Sequence, residues 1–406
     1  MLRYLTAGES HGRALSAIVE GLPAGVPVTT ESIDTQLKRR WLGYGRGGRS
    51  KFEKDKIQIL AGVRFGKSMG SPISLLLENN AFSKDRAGWP TVMSVDEIDE
   101  AVQRVTLPRP GHADLVGTQK YRFDDIRPVI ERASARETAI RVAACTIARE
   151  LLSRLGIHIG SHVLSIGSTE GAATPELIQQ RDRLCSDTAL ELAITADSSD
   201  VRMIDESQAS YAIENIKRAK KDGDSLGGTY EVVVTGLIAG LGSYVQWDRR
   251  LDGQLGAAIL SIQGQKAVEI GEGISAAFDP GSSVHDPIAI DSRGFYRTAN
   301  RAGGIEGGVT TGMPIIVRGF MKPIPTLISP LQTVDIETLK SEPTRYERSD
   351  VTSVPAASVV AESVVAMVIA NAVLDKFGSD TLDELVDRFT SEKTRQRGLA
   401  QRRTDG

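Results

Sequence analysis

The sequence predicts an α+β fold, one catalytic domain over residues 1–406, built from two similar halves about a pseudo-twofold axis. Three observations carry this. Short runs with strand-like alternation (2–6, 14–19, 57–63, 73–78, 158–166 and 314–320) are interspersed with longer runs of helical period. GDSLGGTYEVVVTGLIAG (223–240) aligns without gaps on GESHGRALSAIVEGLPAG (8–25), with identities at Gly8/Gly223, Ser10/Ser225, Gly12/Gly227, Val19/Val234, Gly21/Gly236, Leu22/Leu237, Ala24/Ala239 and Gly25/Gly240. Further along, Gly62, Gly66, Gly70, Pro72 and Ile73 are spaced as Gly304, Gly308, Gly312, Pro314 and Ile315. Arg132 and Arg348 keep nearly the separation of the first match. Opposite His11 stands Leu226, as though one copy kept a reactive side chain and the other became scaffold. Chance matching of glycines is the alternative.

The formal net charge is −3, with 25% charged and 40% hydrophobic residues. That balance excludes wholesale electrostatic binding of nucleic acid and leaves any basic site local. Two cysteines, Cys145 and Cys185, point to a reduced, cytoplasmic protein rather than a disulfide scaffold. No signal or transit segment is expected, because the motif residues begin at Gly8. The most apolar run, 354–374, contains Pro355, Glu362 and Asn371, which fits a buried core helix rather than a membrane span. No membrane partner is therefore expected.

Taken in order, a strand over 2–6 leads to the loop GESHG (8–12) and a strand over 14–19. His11 sits in that glycine-flanked loop, where functional side chains are commonly held, although an incidental loop histidine fits as well. A short helix follows, capped by Ser32, with Ile33 and Leu37 on one face. It runs into KRRWLGYGRGGRS, where Arg39, Arg40, Arg46 and Arg49 alternate with glycines. Such a segment suits a lid over a polyanionic small molecule, a single-stranded RNA contact, or a plain solvated loop. Strands over 57–63 and 73–78 come next, then a helix from Ser94, boxed by Glu97.

The stretch 107–138 organises the rest. It holds His112, with Arg109 before it and Arg122, Arg132 and Arg136 after it. It ends in a capping box, Ser134 with Glu137, ahead of Ile140, Ala144, Ile147 and Leu151 at helical spacing. A helix N-terminus favours anions, and flanking arginines add charge-assisted donors. The reading is an anion site with a histidine beside it; a polar loop before an ordinary helix is the alternative.

The helix ends near Leu155 at the Gly156 C-cap. A strand over 158–166 carries His158 and His162, read as structural because no cysteine or carboxylate accompanies them. Thr174 and Pro175 open another helix. Residues 197–222 read as a polar, partly helical connector. Later come a helix over 251–263, the glycine-rich NRAGGIEGGVTTG (300–312), a strand over 314–320, KPIPT (322–326) and RYERSD (345–350). A long helix starts at Ser353, Thr381 with Glu384 caps a last one, and the polar tail from about 392 is expected to fray. No Rossmann fingerprint, P-loop, HExxH or CxxC occurs, and no metal is expected. Two loop histidines, Asp350 and the loop arginines suggest an enzyme acting on a multiply anionic small molecule. They do not name the reaction.

GESHG (8–12), RRWLGYGRGGR (39–49), RPGHADLVGTQKY (109–121), RASARETAIRVAA (132–144), NRAGGIEGG (300–308), KPIPT (322–326) and RSDVTSVPAA (348–357) closely resemble chorismate synthase, in family order from residue 2 to about 375. The resemblance implies a β-α-β sandwich, a homotetramer, and conversion of 5-enolpyruvylshikimate 3-phosphate to chorismate by 1,4-anti elimination of phosphate and the C6 hydrogen. It implies reduced FMN with no net redox change. Ser10, Arg40, Arg49, Arg109, Arg136 and Arg348 would hold substrate. Arg46, Arg132, Ala133, Ser134, Gln263, Gly264, Gly307, Lys322, Pro323, Ile324, Pro325 and Thr326, with Arg348, would hold FMN. His11 would protonate the leaving phosphate and His112 the reduced flavin near N1, with Asp350 and Ser10 managing the proton at N5. The sequence departs from the family at Gln263-Gly264, where Gln or Asn followed by Ala is usual. Fungal relatives add a flavin-reductase activity. No nicotinamide fingerprint is present, so reducing power of the NADP kind is expected from an external flavin reductant. The rivals are a flavin oxidoreductase with net hydride transfer and an Arg–Gly RNA-binding protein, against which the 5% aromatic content counts.

Overall fold

The computed structural model describes residues 1–45, 55–168, 173–291, 294–344 and 350–398. The predicted alternation builds two four-stranded sheets. The first contains β1 (Arg3–Ala7), β2 (Ala14–Glu20), β3 (Ile57–Ala61) and β4 (Ile73–Glu78), ordered β1-β2-β4-β3. The second contains β5 (His158–Ile166), β6 (Gly228–Thr235), β7 (Gln265–Ile270) and β8 (Ile315–Met321), ordered β5-β6-β8-β7. All neighbours are antiparallel, and in each sheet the fourth strand in chain order inserts between the second and third. Val19 pairs with Ile73 in one sheet and Val234 with Ile315 in the other. Gly62 and Gly304 both take positive φ, +83° and +78°, and a Cβ on either would lie 2.4 Å from the carbonyl oxygen of Pro72 or Pro314. Only glycine fits such an approach.

The helices are α1 (Thr30–Trp41), α2 (Asp114–Tyr121), α3 (Arg127–Ala133), α4 (Glu137–Arg154), α5 (Pro175–Leu184), α6 (Ala189–Asp197), α7 (Glu206–Asp222), α8 (Leu251–Leu260), α9 (Val354–Phe377) and α10 (Leu382–Gly398), with several single turns between them. The layers run sheet, helix pair, sheet. α4 packs on the first sheet, α9 on the second, and the two helices on each other. Covered on both sides, α9 is apolar nearly all round. It is long and apolar enough to cross a membrane, but 83% of that apolar window is buried inside the fold. One continuous core runs from Leu2 through Ile140, Val234 and Val365 to Phe389. α5 and α6 cover the outer face of the second sheet through Leu177, Ala189 and Leu192. The corresponding face of the first sheet leaves Leu5, Ile18 and Leu60 exposed.

Several local expectations are corrected. The cap of α1 is Thr29, whose side chain accepts from the Ser32 N–H. Glu97 N–H does reach Ser94 Oγ at 3.1 Å, but no helix follows. Val95 and Ile98 there are over 90% exposed, so that segment has no apolar face to bury, and a short helix needs one. The box at Ser134 and Glu137 does not form. Ser134 Oγ accepts from Arg136 N–H and meets Ser10 Oγ, while the Glu137 carboxylate turns to Thr6 and Arg141. α8 stops at Leu260, ahead of a turn at Gly264 (φ +83°). α2, α3 and α6 add to the expected helices, and α7 occupies most of the stretch read as a partly helical connector. Instead of fraying at 392, α10 continues to Gly398, tied down by the Gln396 amide, which bonds both N–H and C=O of Ala239.

Candidate active site

The two central helices begin at one place. Ser134, Ala135, Arg136 and Thr138 at the start of α4 face Asp350, Ser353, Ala356 and Ala357 at the start of α9 across a cleft. Arg40, Trp41, Ile262, Gln263 and Met321 complete its walls. Helix N-termini carry unpaired N–H groups and the positive ends of the dipoles, so two converging on one cleft favour an anion strongly. The cleft measures about 160 Å³, below the usual size of a small-molecule site. Arg46, Arg49 and Arg348, expected to bind ligand, lie outside the described residues. A larger hollow of about 900 Å³ lies along the outer side of the second sheet and includes Pro323, but none of the histidines.

Arginine geometry supports an anion site. Arg40, from the last turn of α1, donates from Nε to Thr138 Oγ1 (2.9 Å) and from Nη2 to Ala135 O (3.0 Å). Arg136 donates to Asn79 Oδ1 (3.1 Å) and forks onto Asp55, with both contacts at 2.8 Å. The Trp41 ring lies under both guanidinium groups, 5.5 and 5.9 Å from its centroid, and its indole N–H donates to Asp55 at 2.8 Å. Ring and carboxylate together hold two cations at the cleft mouth.

Each loop histidine is backed by a buried carboxylate. His11 Nδ1 lies 3.0 and 3.2 Å from the two oxygens of Glu131, and His112 Nδ1 makes a short contact with Asp114. Burial pushes the Asp114 carboxyl up, but the hydrogen bonds from His112 and Arg109 outweigh it and hold the group well below its ordinary value. Glu131 is likewise held low, as the bonds and charge of His11 overcome burial. Arg109 forks onto Asp114 and reaches Thr326 Oγ1 at 3.2 Å.

The remaining residues fall into place around these. Ser10, 3% exposed, meets Ser134 Oγ at 3.2 Å and so stands one hydrogen bond behind the cleft wall that Asp350 shares. Asp350 accepts from Ser353 Oγ at 3.5 Å. Arg132 bonds Thr6 and Gly8, and Ala133 ends α3. Lys322 N–H donates to Gly264 O at 3.0 Å, and its ammonium bonds Gly111 O, which draws KPIPT onto both the Gln263-Gly264 turn and the His112 loop. Burial and the nearby Lys266 keep the Lys322 ammonium below its ordinary value. Ile324 O accepts from Ser225 Oγ (2.6 Å), and Pro325 packs beside Gly111. Gly307 lies beside Tyr244, and its neighbour Gly308 accepts from Leu251 N–H at the start of α8. His158 and His162 stand apart, His162 within the Glu231, Arg181 and Arg318 network. Asp55, Trp41, Asp114, Glu131 and Asn79 escaped the sequence reading. Of these only Asp114 carried a local signal, an acid in the first turn of a helix two residues after the histidine.

A flavin site is compatible with these residues on one structural ground. The Gln263 Oε1 is a buried acceptor without a donor among the described residues. It faces the cleft beside Ser134 and Met321, as an acceptor for a ligand N–H would.

Fold and site define an α+β enzyme for anionic small molecules. The family model for chorismate synthase matches residues 2–374. A chorismate synthase of Salinibacter ruber is 58% identical over 94% of this chain and 96% of its own, and one of Chlorobaculum tepidum is 55% identical over 96% and 97%. A crystal structure of chorismate synthase matches 98% of each chain with a TM-score of 0.78 at 39% identity. The chain belongs to the chorismate synthase family, and it is a lyase of aromatic amino acid biosynthesis.

Proposed function

We propose that the cleft binds 5-enolpyruvylshikimate 3-phosphate beside reduced FMN and expels phosphate with the C6 hydrogen in a 1,4-anti sense, giving chorismate. The observation that carries this is the convergence of two helix N-termini and the Trp41-braced Arg40 and Arg136 on one cleft. A substrate with two carboxylates and a phosphate matches that charge. Arg40, Arg49, Arg109, Arg136 and Arg348 hold its anionic groups, with Ser10. Ser134, Gln263, Gly264 and the Lys322, Pro323, Ile324, Pro325 and Thr326 loop hold FMN, joined by Arg46, Arg132, Ala133, Gly307 and Arg348. When bound, reduced FMN supplies electron density that the poorly acidic C6–H does not give up alone. His11 delivers a proton to the departing phosphate, His112 holds one at its ring nitrogen beside the cofactor, and Asp350 with Ser10 moves one at the cleft wall.

The same reading takes the chain as one catalytic domain, supported by the continuous core from Leu2 to Phe389. It takes the two sheets as copies of one duplicated unit, supported by their common strand order and the paired registers of Val19 with Ile73 and Val234 with Ile315. Assembly is as a homotetramer, for which the uncovered Leu5, Ile18 and Leu60 give an apolar face. The enzyme works in the cytoplasm on flavin reduced elsewhere, without nucleic acid or membrane.

The test is anaerobic. Substrate and reduced FMN are added to the protein, and phosphate, chorismate and reductant consumed are measured together. Phosphate and chorismate should appear in equal amounts with far less than one reductant oxidised per turnover. A ratio near one would make it a flavin oxidoreductase, and no phosphate release with reduced FMN would end the reading.

A further inference from the structure

Glu131 has no part in the roles given above, yet its backbone carbonyl and its carboxylate both meet residues 10–11. It lies in α3 and is 1% exposed, where an unpartnered carboxylate would be costly. Its backbone carbonyl accepts from Ser10 N–H at 3.0 Å. Its carboxylate accepts from His11 N–H at 2.8 Å and sits 3.0 and 3.2 Å from His11 Nδ1. Arg127, one turn earlier, reaches the same carboxylate at 3.4 Å. Trp89 lies flat on the imidazole, with ring centroids 3.9 Å apart and planes 13° from parallel, and Arg127 lies over Trp89 at 5.4 Å. The ring is thus fixed in its plane by Trp89 and in its rotation by Glu131.

We propose that Glu131 is the positioning residue for His11, holding a proton on Nδ1 so that Nε2 is the nitrogen that gives its proton to the leaving phosphate. The inference rests on the reading of His11 as that acid. As the substrate C–O bond breaks, phosphate leaves with the bonding pair and takes the Nε2 proton. The imidazole becomes neutral with its remaining proton on Nδ1, hydrogen-bonded to Glu131, and solvent returns the lost proton before the next turnover. Glu131 stays anionic throughout, in keeping with a carboxyl held below its ordinary value. A carboxylate behind a catalytic histidine selects tautomer and orientation in this way.

The bland alternative is that Glu131 merely ties the 8–12 loop to α3. Glu131→Gln keeps the size and an oxygen for the His11 N–H but removes the anion at Nδ1. The expected result is a fall in kcat of roughly 10–10²-fold, part of the ~10²–10⁴ that a general acid contributes, with KM for the enol-pyruvyl substrate unchanged. His11→Ala alone should cost ~10²–10⁴ in kcat, and adding Glu131→Gln to it should cost nothing more, since the two act as one unit. Wild-type kcat in Glu131→Gln, or the same fold-loss with His11 present and absent, overturns the proposal while leaving His11 as the acid. Wild-type turnover in His11→Ala overturns the reading beneath it as well. The intact protein offers a check that needs no Glu131 variant. With ¹⁵N-labelled histidine, assigned by loss of signal in His11→Ala, neutral His11 should carry its proton on Nδ1; the Nε2–H tautomer would refute the proposal even if Glu131→Gln failed to fold.

Discussion

Asp350 separates chemistry from helix capping at a single residue. It stands three residues before Ser353, the N-cap of α9, and that cap makes no side-chain hydrogen bond to the helix. A purely structural carboxylate here would contribute about 0.5–2 kcal/mol as a cap. If instead Asp350 moves a proton, Asp350→Asn should bind FMN and substrate normally, melt normally and turn over far more slowly. Ser10→Ala should fall in the same direction. The double variant should lose less than the product, because groups that act together are non-additive. Full activity in Asp350→Asn with only a lowered Tm would return it to a structural role. The two histidines drew notice because each sits in a compact motif beside glycine, GESHG and RPGHA, and Arg132 and Arg136 because they stand together ahead of a helical period. Their partners were not. Glu131 is 120 residues from His11 and Asp55 is 81 from Arg136, and nothing local in the sequence couples either pair.

Most of the strands named from the sequence, and the long helices α4 and α9, were readable to within a residue or two, because alternation and helical period report burial directly; β7 and the bounds of α7 and α8 were not. Caps were less so. A Ser-x-x-Glu pattern states only that two side chains could serve a helix start. At Ser94 no apolar face followed to stabilise one, and at Ser134 the hydroxyl is taken by Arg136 N–H and Ser10. The duplicated pattern carries a finer likeness at the turns. Ser68 Oγ donates to Pro23 O (2.6 Å) and accepts from Val26 N–H (2.9 Å). Thr310 Oγ1 donates to Ile238 O (2.7 Å) and accepts from Leu241 N–H (2.9 Å). Offsets of 242 for the hydroxyls and 215 for their partners are those of the two sequence matches. Each hydroxyl is buried, so Ser68→Ala and Thr310→Val should each cost about 1–3 kcal/mol by stranding an N–H and a C=O. Ser68→Thr should be tolerated. Unfolding midpoints decide it: a neutral Ser68→Ala beside a destabilising Thr310→Val would mean that the two turns are not equivalent.

At the scale of the whole molecule, one buried anion joins elements that the sequence separates widely. Glu362, in the middle of α9 and fully buried, accepts from Arg39 of α1 (2.7 and 2.8 Å), Arg149 of α4 (2.7 Å) and Arg202 of the α6–α7 connection (3.2 Å), and from Ser161 of β5 (2.6 Å). Asp197 shares Arg39 and Arg202. Burial, together with the neighbouring Arg39 and Arg149, pushes the Arg202 guanidinium down to about 9, which still leaves it charged at neutral pH. Burial alone would push the Glu362 carboxyl up, but the three arginines prevail and hold it far below its ordinary value. A carboxyl depressed in the folded chain stabilises above its unfolded pKa, about 4.3, and that stability is lost as pH falls through the folded value. Tm should therefore be level from pH 7 to about 5 and drop steadily below about 4. Glu362→Gln leaves three cations around a neutral amide and should cost about 3–5 kcal/mol, the usual result of removing one member of a buried ionic cluster. Its Tm at pH 7 should already lie well below wild type, and the gap between the two should narrow as the pH falls, since acid removes from the wild type what the substitution has already removed. Parallel pH curves, or a wild-type Tm in Glu362→Gln, would show that this cluster does not hold the two sheets and their helices together.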